Sequence, residues 1–224
     1  REFSIVEPGK TWENNEQLMV CPNLRAAQIY FNTPKRAFVD RVIADALAED
    51  RIDQVILRHD LLNDDGNGYM VFTADRGTLH FWQSGDNVPT GDAQGKDRYG
   101  FTWHWSGDLS TLSGILHEDG TLHFPEYPNA FERIATALDF QRSGNIWLTA
   151  CPGHDIIMPE FDIHESGSHG TLHAQDSLSP LILAGAPAGV HLPNYPRSID
   201  VAILCQQILG MPLLRELDTS VFQR

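Results

Sequence analysis

The chain has 224 residues, of which 42% are hydrophobic and 21% are charged, and this composition is typical of a globular protein with a sizeable core. Its 30 acidic and 16 basic residues give a net charge of -14, which argues against nucleic acid or an anionic membrane surface as a partner. The negative charge is compatible with a small phosphorylated substrate if metal ions supply positive charge at the site. No apolar run reaches the roughly 18 residues of a membrane helix.

The first predicted elements are a strand, a helix and a strand. Residues 26–31 predict the first strand, and Thr33 and Pro34 then form a helix-start signal as N-cap and first helical residue. Apolar residues recur at helical spacing over 34–49, so one stripe of this helix should be buried. Residues 53–58 predict the second strand, and this order suits an α/β or α+β unit.

Residues 60–125 have a different pattern, in which glycine and aspartate turns alternate with short aromatic runs. The pattern predicts antiparallel strands and long loops. The alternating aromatic side chains favour a buried core over a platform that stacks a base or a sugar. They are Phe81, Trp82, Phe101, Trp103 and Trp105.

The rest of the chain predicts a second series of elements. They are a helix over about 129–140, a strand at 145–150, a turn at 167–173, an apolar strand at 180–185 and a helix at 198–209. The last helix should have Ser198 as its N-cap and Gly210 just past its end. Three scattered cysteines in apolar contexts predict buried free thiols, and no Cys-x-x-Cys spacing indicates a structural zinc site; they are Cys21, Cys151 and Cys205.

His169 is the candidate metal ligand. It lies between Gly167 and Gly170, and small residues on both sides allow the backbone to approach a metal closely. Zinc requires a neutral imidazole whose orientation is fixed by hydrogen bonds of the surrounding residues. The spacing alone favours a solvent-facing loop histidine over a metal ligand. Nearby residues that could support such a site, or have no role, are His154, His164, Glu165 and His173.

The turn histidine, the apolar strand and the capped helix, in that order, resemble the C-terminal end of the alkaline phosphatase superfamily. The type I phosphodiesterase/nucleotide pyrophosphatase members are the most similar, and in them a Gly-x-His-Gly segment supplies the last zinc-ligating histidine. The resemblance extends through nearly all of the chain. It includes the segment Met19–Phe31, Arg58-His59-Asp60 after a strand, Tyr127-Pro128 before a helix and Arg142-Ser143-Gly144-Asn145 before a strand.

The chain departs from the superfamily pattern in its catalytic residues. The Ser or Thr nucleophile, the first metal-ligating Asp, the Asp-x-x-x-His pair and the Asp-His pair of the superfamily have no counterpart here. Gly153-His154-Asp155 carries the two residues of the last pair in reverse order. A two-metal site needs about six protein ligands and an activated nucleophile, and the resemblance assigns one ligand, His169.

The resemblance therefore implies an α/β fold with an alkaline-phosphatase-like mixed sheet and flanking helices. Residues 1–224 would be a single domain, the C-terminal part of such a domain, with 60–125 as an antiparallel β-rich inserted subdomain. The complete protein would be a metal-dependent phosphoric-ester hydrolase with two divalent metals, zinc being expected, and a small phosphate ester as substrate.

By itself the chain should be inactive, should usually lack metal, and should associate with itself or with the missing N-terminal half. A protein of another class is the alternative, namely a non-catalytic binding or interaction module derived from the same fold.

Overall fold

The computed structural model describes residues 3–7, 9–14, 17–63, 66–85, 92–157, 167–190 and 192–212. The chain divides into two compact units, Arg1–Leu178 and Ser179–Arg224. The first unit combines a large mixed sheet with few helices. The predicted α/β class is confirmed at this level.

The described residues form eleven strands, which are β1 Ser4–Ile5, β2 Gln17–Asn23, β3 Ala26–Phe31, β4 Ile52–Arg58, β5 Tyr69–Phe72, β6 Thr78–Gln83, β7 Ala93–Lys96, β8 Thr102–Gly107, β9 Ile115–Leu116, β10 Leu122–His123 and β11 Ile146–Ala150. Nine of them form one sheet in the order β1-β2-β3-β11-β4-β5-β6-β8-β7, and β9 pairs with β10 in a separate ladder. The β1–β2 pair is parallel, and the other described strand pairs are antiparallel.

The helices lie close to three predicted positions, and their ends differ from the prediction. They are α1 Arg36–Leu47, α2 Ala130–Leu138, α3 Ala174–Ser177 and α4 Asp200–Ile208, with 3-10 turns at His59–Leu61 and Leu109–Leu112.

The predicted starts of α1 and α4 are wrong by one or two residues, whereas that of α2 agrees with the prediction. The cap of α1 is Lys35, whose backbone is extended and whose side chain makes no capping hydrogen bond, so Thr33 does not cap it. Asn129 caps α2 in a left-handed conformation with φ 56°. Ile199 precedes α4, and Asp200 accepts a hydrogen bond from the Arg197 backbone N–H at 2.8 Å. Gly210, at φ 63°, follows α4 as predicted.

The sheet packs one helix on each face. On one face, Phe131 and Ile134 of α2 join a cluster that includes Phe81 and Trp103. On the other face, α1 packs on a cluster formed by β2, β3, β4 and β11. The prediction that the aromatic runs contribute to the core is confirmed for Phe81, Trp103 and Trp105, all of which are buried.

Four of the described strands in residues 60–125 continue the main sheet beyond β4, whereas β9 and β10 form the separate ladder. β5 pairs with β4, and β6, β8 and β7 follow in antiparallel order. The antiparallel character predicted for this region is therefore present. The strands β5 to β8 belong to the main sheet, because β5 pairs with the side of β4 that β11 leaves unpaired.

The predicted strand at 180–185 is absent. Ile182 is 84% exposed, and the described residues include no strand that pairs with this segment. An apolar run acquires strand geometry only when a neighbour satisfies its N–H and C=O groups, which the sequence pattern does not reveal.

The cysteines are free, as predicted, but their predicted burial is wrong for two of them. Cys21 and Cys205 are exposed, and Cys151 is half-buried. Cys21 lies on β2 at a position that alternates with the buried side of the strand, so an apolar neighbourhood in sequence does not place it in the core. Within the described residues, every helix is too short or too polar to cross a membrane.

Candidate functional site around His169

His169 lies at the end of the sheet where β11 ends and β3 begins. Its carbonyl accepts a hydrogen bond from the Arg25 backbone N–H at 3.3 Å, and Ala150 N–H donates to the Arg25 carbonyl at 2.8 Å. The side chain of His169 is exposed. The loop is thus fixed to the sheet through its backbone while its imidazole faces solvent.

Gly170 holds the loop close to the β2–β3 turn. Its φ is +129°, a conformation that residues with a Cβ rarely adopt. A Cβ added here would lie 2.8 Å from the Asn23 carbonyl oxygen. The glycine after the histidine, which the sequence analysis linked to metal approach, therefore also allows close contact between the loop and the sheet.

Leu172 and Arg133 anchor the segment that follows His169. Leu172 is fully buried in the α2-side cluster. The guanidinium of Arg133 donates to the Leu172 carbonyl at 2.9 Å and to the Thr171 carbonyl at 3.2 Å. Burial lowers the pKa of Arg133, an effect that nearby Asp176 opposes. The Ser177 hydroxyl donates to the same two carbonyls, at 3.0 Å from that of Leu172 and 3.5 Å from that of Thr171, so the cation and the hydroxyl together satisfy them.

Asp176 links the loop of His169 to the sheet through hydrogen bonds. One carboxylate oxygen accepts from the Thr171 N–H at 3.0 Å and the Thr171 hydroxyl at 2.6 Å, and the other accepts from the guanidinium of Arg25. The side chains of Arg25 and Asp176 are only 7% and 1% exposed. Sequence reasoning missed this pair, because its members are separated by most of the first unit and neither belongs to a motif.

The sequence neighbours of His169 have different environments. The Ser168 hydroxyl donates to Asp155 at 2.5 Å, and His154 is exposed. His173 has its own partners: its Nδ1 accepts from the Gln175 N–H at 3.2 Å, and its ring centroid lies 5.7 Å from that of Tyr127. His164 and Glu165 lie outside the described residues.

A buried polar cluster lies at the same end of the sheet. Asp53 accepts hydrogen bonds from the Tyr127 hydroxyl at 2.9 Å and from Arg76 at 2.5 Å. Burial raises the pKa of Tyr127 well above its usual range. The phenol donates its hydrogen bond to Asp53 and thereby fixes this carboxylate.

The described residues contain no group of three or more His, Cys, Asp or Glu side chains arranged to hold a metal ion. His169 fits the role of one ligand, because its imidazole is exposed and its backbone is fixed. A catalytic zinc site uses three protein ligands, so His169 needs partners that these residues do not supply.

Comparisons of the chain with protein-family models, with curated proteins and with solved structures gave no match.

Proposed function

We propose that residues 1–224 form the C-terminal portion of a metal-dependent phosphoric-ester hydrolase that resembles the phosphodiesterase/nucleotide pyrophosphatase enzymes. The proposed fold is the C-terminal part of an alkaline-phosphatase-like domain. In this proposal His169 is a ligand of one of two divalent metals, with zinc as the expected ion. The substrate is a small phosphate ester, and the nucleophile and other ligands come from residues outside this chain.

The observation that carries the proposal is the fixed backbone of the His169 loop beside its exposed imidazole. Arg25 binds the carbonyl of His169, and Asp176 and Arg133 hold Thr171 two residues later. A ligand held in this way loses little conformational entropy when it binds a metal.

The metals would supply positive charge for the phosphate and activate the nucleophile. The residues of this chain contribute one imidazole and its positioning, and they provide no nucleophile that the proposal assigns. We therefore expect residues 1–224 alone to show no metal-dependent hydrolysis.

The test begins with the gene upstream of the codon for Arg1. We expect it to encode an Asp-His-Gly motif and a Ser or Thr nucleophile. In the protein so defined, His169→Ala should lower zinc-dependent hydrolysis of p-nitrophenyl phosphate or bis(p-nitrophenyl) phosphate by about 100-fold or more. The bound zinc, measured by elemental mass spectrometry, should fall in the same variant.

His117→Ala is the matched control, since His117 is another exposed loop histidine and lies between β9 and β10, away from the segment that carries His169. It should leave turnover and zinc content unchanged. A natural start close to Arg1 would contradict the proposal and favour the non-catalytic binding module. Turnover by residues 1–224 alone that His169→Ala abolishes would show that a complete site lies within this chain.

Self-association is a second expected result for residues 1–224. Large apolar side chains of the second unit are exposed, among them Ile182 at 84%, Leu209 at 69% and Met211 at 52%. Exposed apolar side chains that group into one patch favour association. Light scattering after size exclusion should give a mass that rises with concentration. Ile182→Asp should reduce this rise, whereas Ile5→Asp, at another exposed isoleucine, should not; a strictly monomeric chain would contradict the expectation.

A further inference from the structure

Two polar grooves lie at the end of the sheet opposite His169. The larger has a volume of about 350 Å³ and the smaller about 270 Å³, and both are lined by Arg58, Asp60 and Asp139. Arg58 is the last residue of β4 and pairs with Tyr69 at the start of β5. The larger groove is within the size range of small-molecule sites, roughly 300–1,000 Å³.

The charges shared by the grooves disfavour an anionic ligand. Arg58 donates to Asp60 through Nη2 at 2.5 Å and through Nε at 3.3 Å, and its Nη1 lies 3.9 Å from an oxygen of Asp139. The single guanidinium is therefore already paired with two carboxylates. A phosphate or carboxylate ligand would meet a net negative surface, so these grooves do not suit the phosphate ester proposed for His169.

A cationic ligand is also disfavoured. The guanidinium of Arg58 occupies the centre of the acidic pair and would repel a second cation. Asp60 is engaged by two N–H groups of Arg58, and one oxygen of Asp139 accepts from the Tyr69 hydroxyl at 2.8 Å. A neutral ligand with both donors and acceptors meets neither repulsion.

The remaining lining supplies neutral polar groups and one exposed aromatic ring. The larger groove contains Gln141, Ser143 and Asn145 beside Phe140, which is 66% exposed, and the smaller contains Asn67 and Gln83 beside the buried Trp82. The side-chain Oδ1 of Asn145 accepts from the Phe31 N–H at 2.8 Å, which fixes the amide at the groove. Amides and carboxylates beside an aromatic ring can hydrogen-bond hydroxyl groups while the ring packs on C–H groups.

We propose that these grooves bind a neutral saccharide. A hydroxyl group both donates and accepts, so adjacent hydroxyls of a sugar can donate to Asp139 and accept from the amide of Asn145. One sugar ring packs on Phe140 in the larger groove, and the smaller groove extends the site past Arg58 toward Asn67 and Gln83. This inference does not rest on the function proposed for His169, because the two sites are at opposite ends of the sheet.

The test uses neutral trisaccharides as probes, namely maltotriose, cellotriose, mannotriose and chitotriose. We expect at least one to bind in titration calorimetry and to give saturation-transfer NMR signals. Phe140→Ala should weaken that binding about fivefold or more, through loss of the stacking surface. Asp139→Asn should weaken it about tenfold, because a charged acceptor becomes a neutral amide of the same shape.

Asp40→Asn is the matched control, since Asp40 is an exposed aspartate on α1 that pairs with Arg36. It should bind the probe as the unchanged chain does. Phe140 is exposed, so Phe140→Ala remains informative if an Asp139 variant fails to fold, and circular dichroism checks the fold of each. Binding of none of the four probes below about 10 mM, or binding that neither variant changes, overturns the proposal. Tighter binding of inorganic phosphate or spermidine at the same residues also overturns it.

Discussion

Replacing Asp176 with asparagine should lower the free energy of unfolding of the first unit by about 3 to 5 kcal/mol. The carboxylate is the one acidic partner of buried Arg25 among the described residues, and two other nitrogens of that guanidinium are buried without partners there. Removing the charge leaves a buried, unpaired cation. Urea unfolding followed by tryptophan fluorescence reports on this unit, because all five tryptophans lie before residue 179.

Asp40→Asn is the control for this change too, because it removes a carboxylate from an exposed ion pair with Arg36. Such pairs contribute about 0–1 kcal/mol. The double variant Arg25→Met, Asp176→Asn should recover part of the loss, since no buried cation remains. Equal midpoints for Asp176→Asn and Asp40→Asn would show that the buried pair does not stabilise the fold.

Phe131→Ala should destabilise the first unit by about 3 to 5 kcal/mol. Phe131 is 1% exposed and lies at the centre of the aromatic core, stacked on Phe81 with ring centroids 4.0 Å apart and an interplanar angle of 8°. Its ring also contacts Trp103 at 5.5 Å and Phe124 at 4.7 Å. The loss combines the removal of buried apolar surface with a cavity that these rings cannot fill.

Phe140→Ala makes the same chemical change at an exposed position two residues beyond α2. It should alter the midpoint of urea unfolding little, because its ring buries little surface in the folded state. Phe131→Leu should cost less than Phe131→Ala, since it keeps part of the volume. If the two alanine variants unfolded at the same urea concentration, the aromatic cluster would not be the core of this unit.

The sequence pattern predicts strands well where alternation and burial coincide. β3 matches its predicted range of 26–31, because its buried positions alternate over 27–31, β2 pairs along its whole length and β11 pairs with residues 26–29. The segment at 180–185 carries an equally apolar pattern but forms no strand. The hydrophobic pattern indicates which side chains a segment can bury, whereas a strand forms only when a second segment pairs with its backbone.

The candidate site illustrates the same limit. His169 and its flanking glycines are visible in sequence as a local motif. Arg25 and Asp176, which hold the loop, are 151 residues apart. Arg58 and Asp139, which line both grooves, belong to separate elements and come together only in the folded chain. Local chemistry is therefore readable from sequence, and the contacts that orient it depend on tertiary structure.

The position of β11 has a consequence for the order in which the chain folds during synthesis. β11 lies between β3 and β4, so β1 to β3 on one side and β4 to β8 on the other are joined in the sheet only through it. A ribosome must release residues 146–150 before the two halves can become one sheet. Until then each half exposes an unpaired edge to chaperones and to other nascent chains. Pairing β11 with strands so far away in sequence has a large entropic cost of loop closure. We therefore expect this topology to fold slowly.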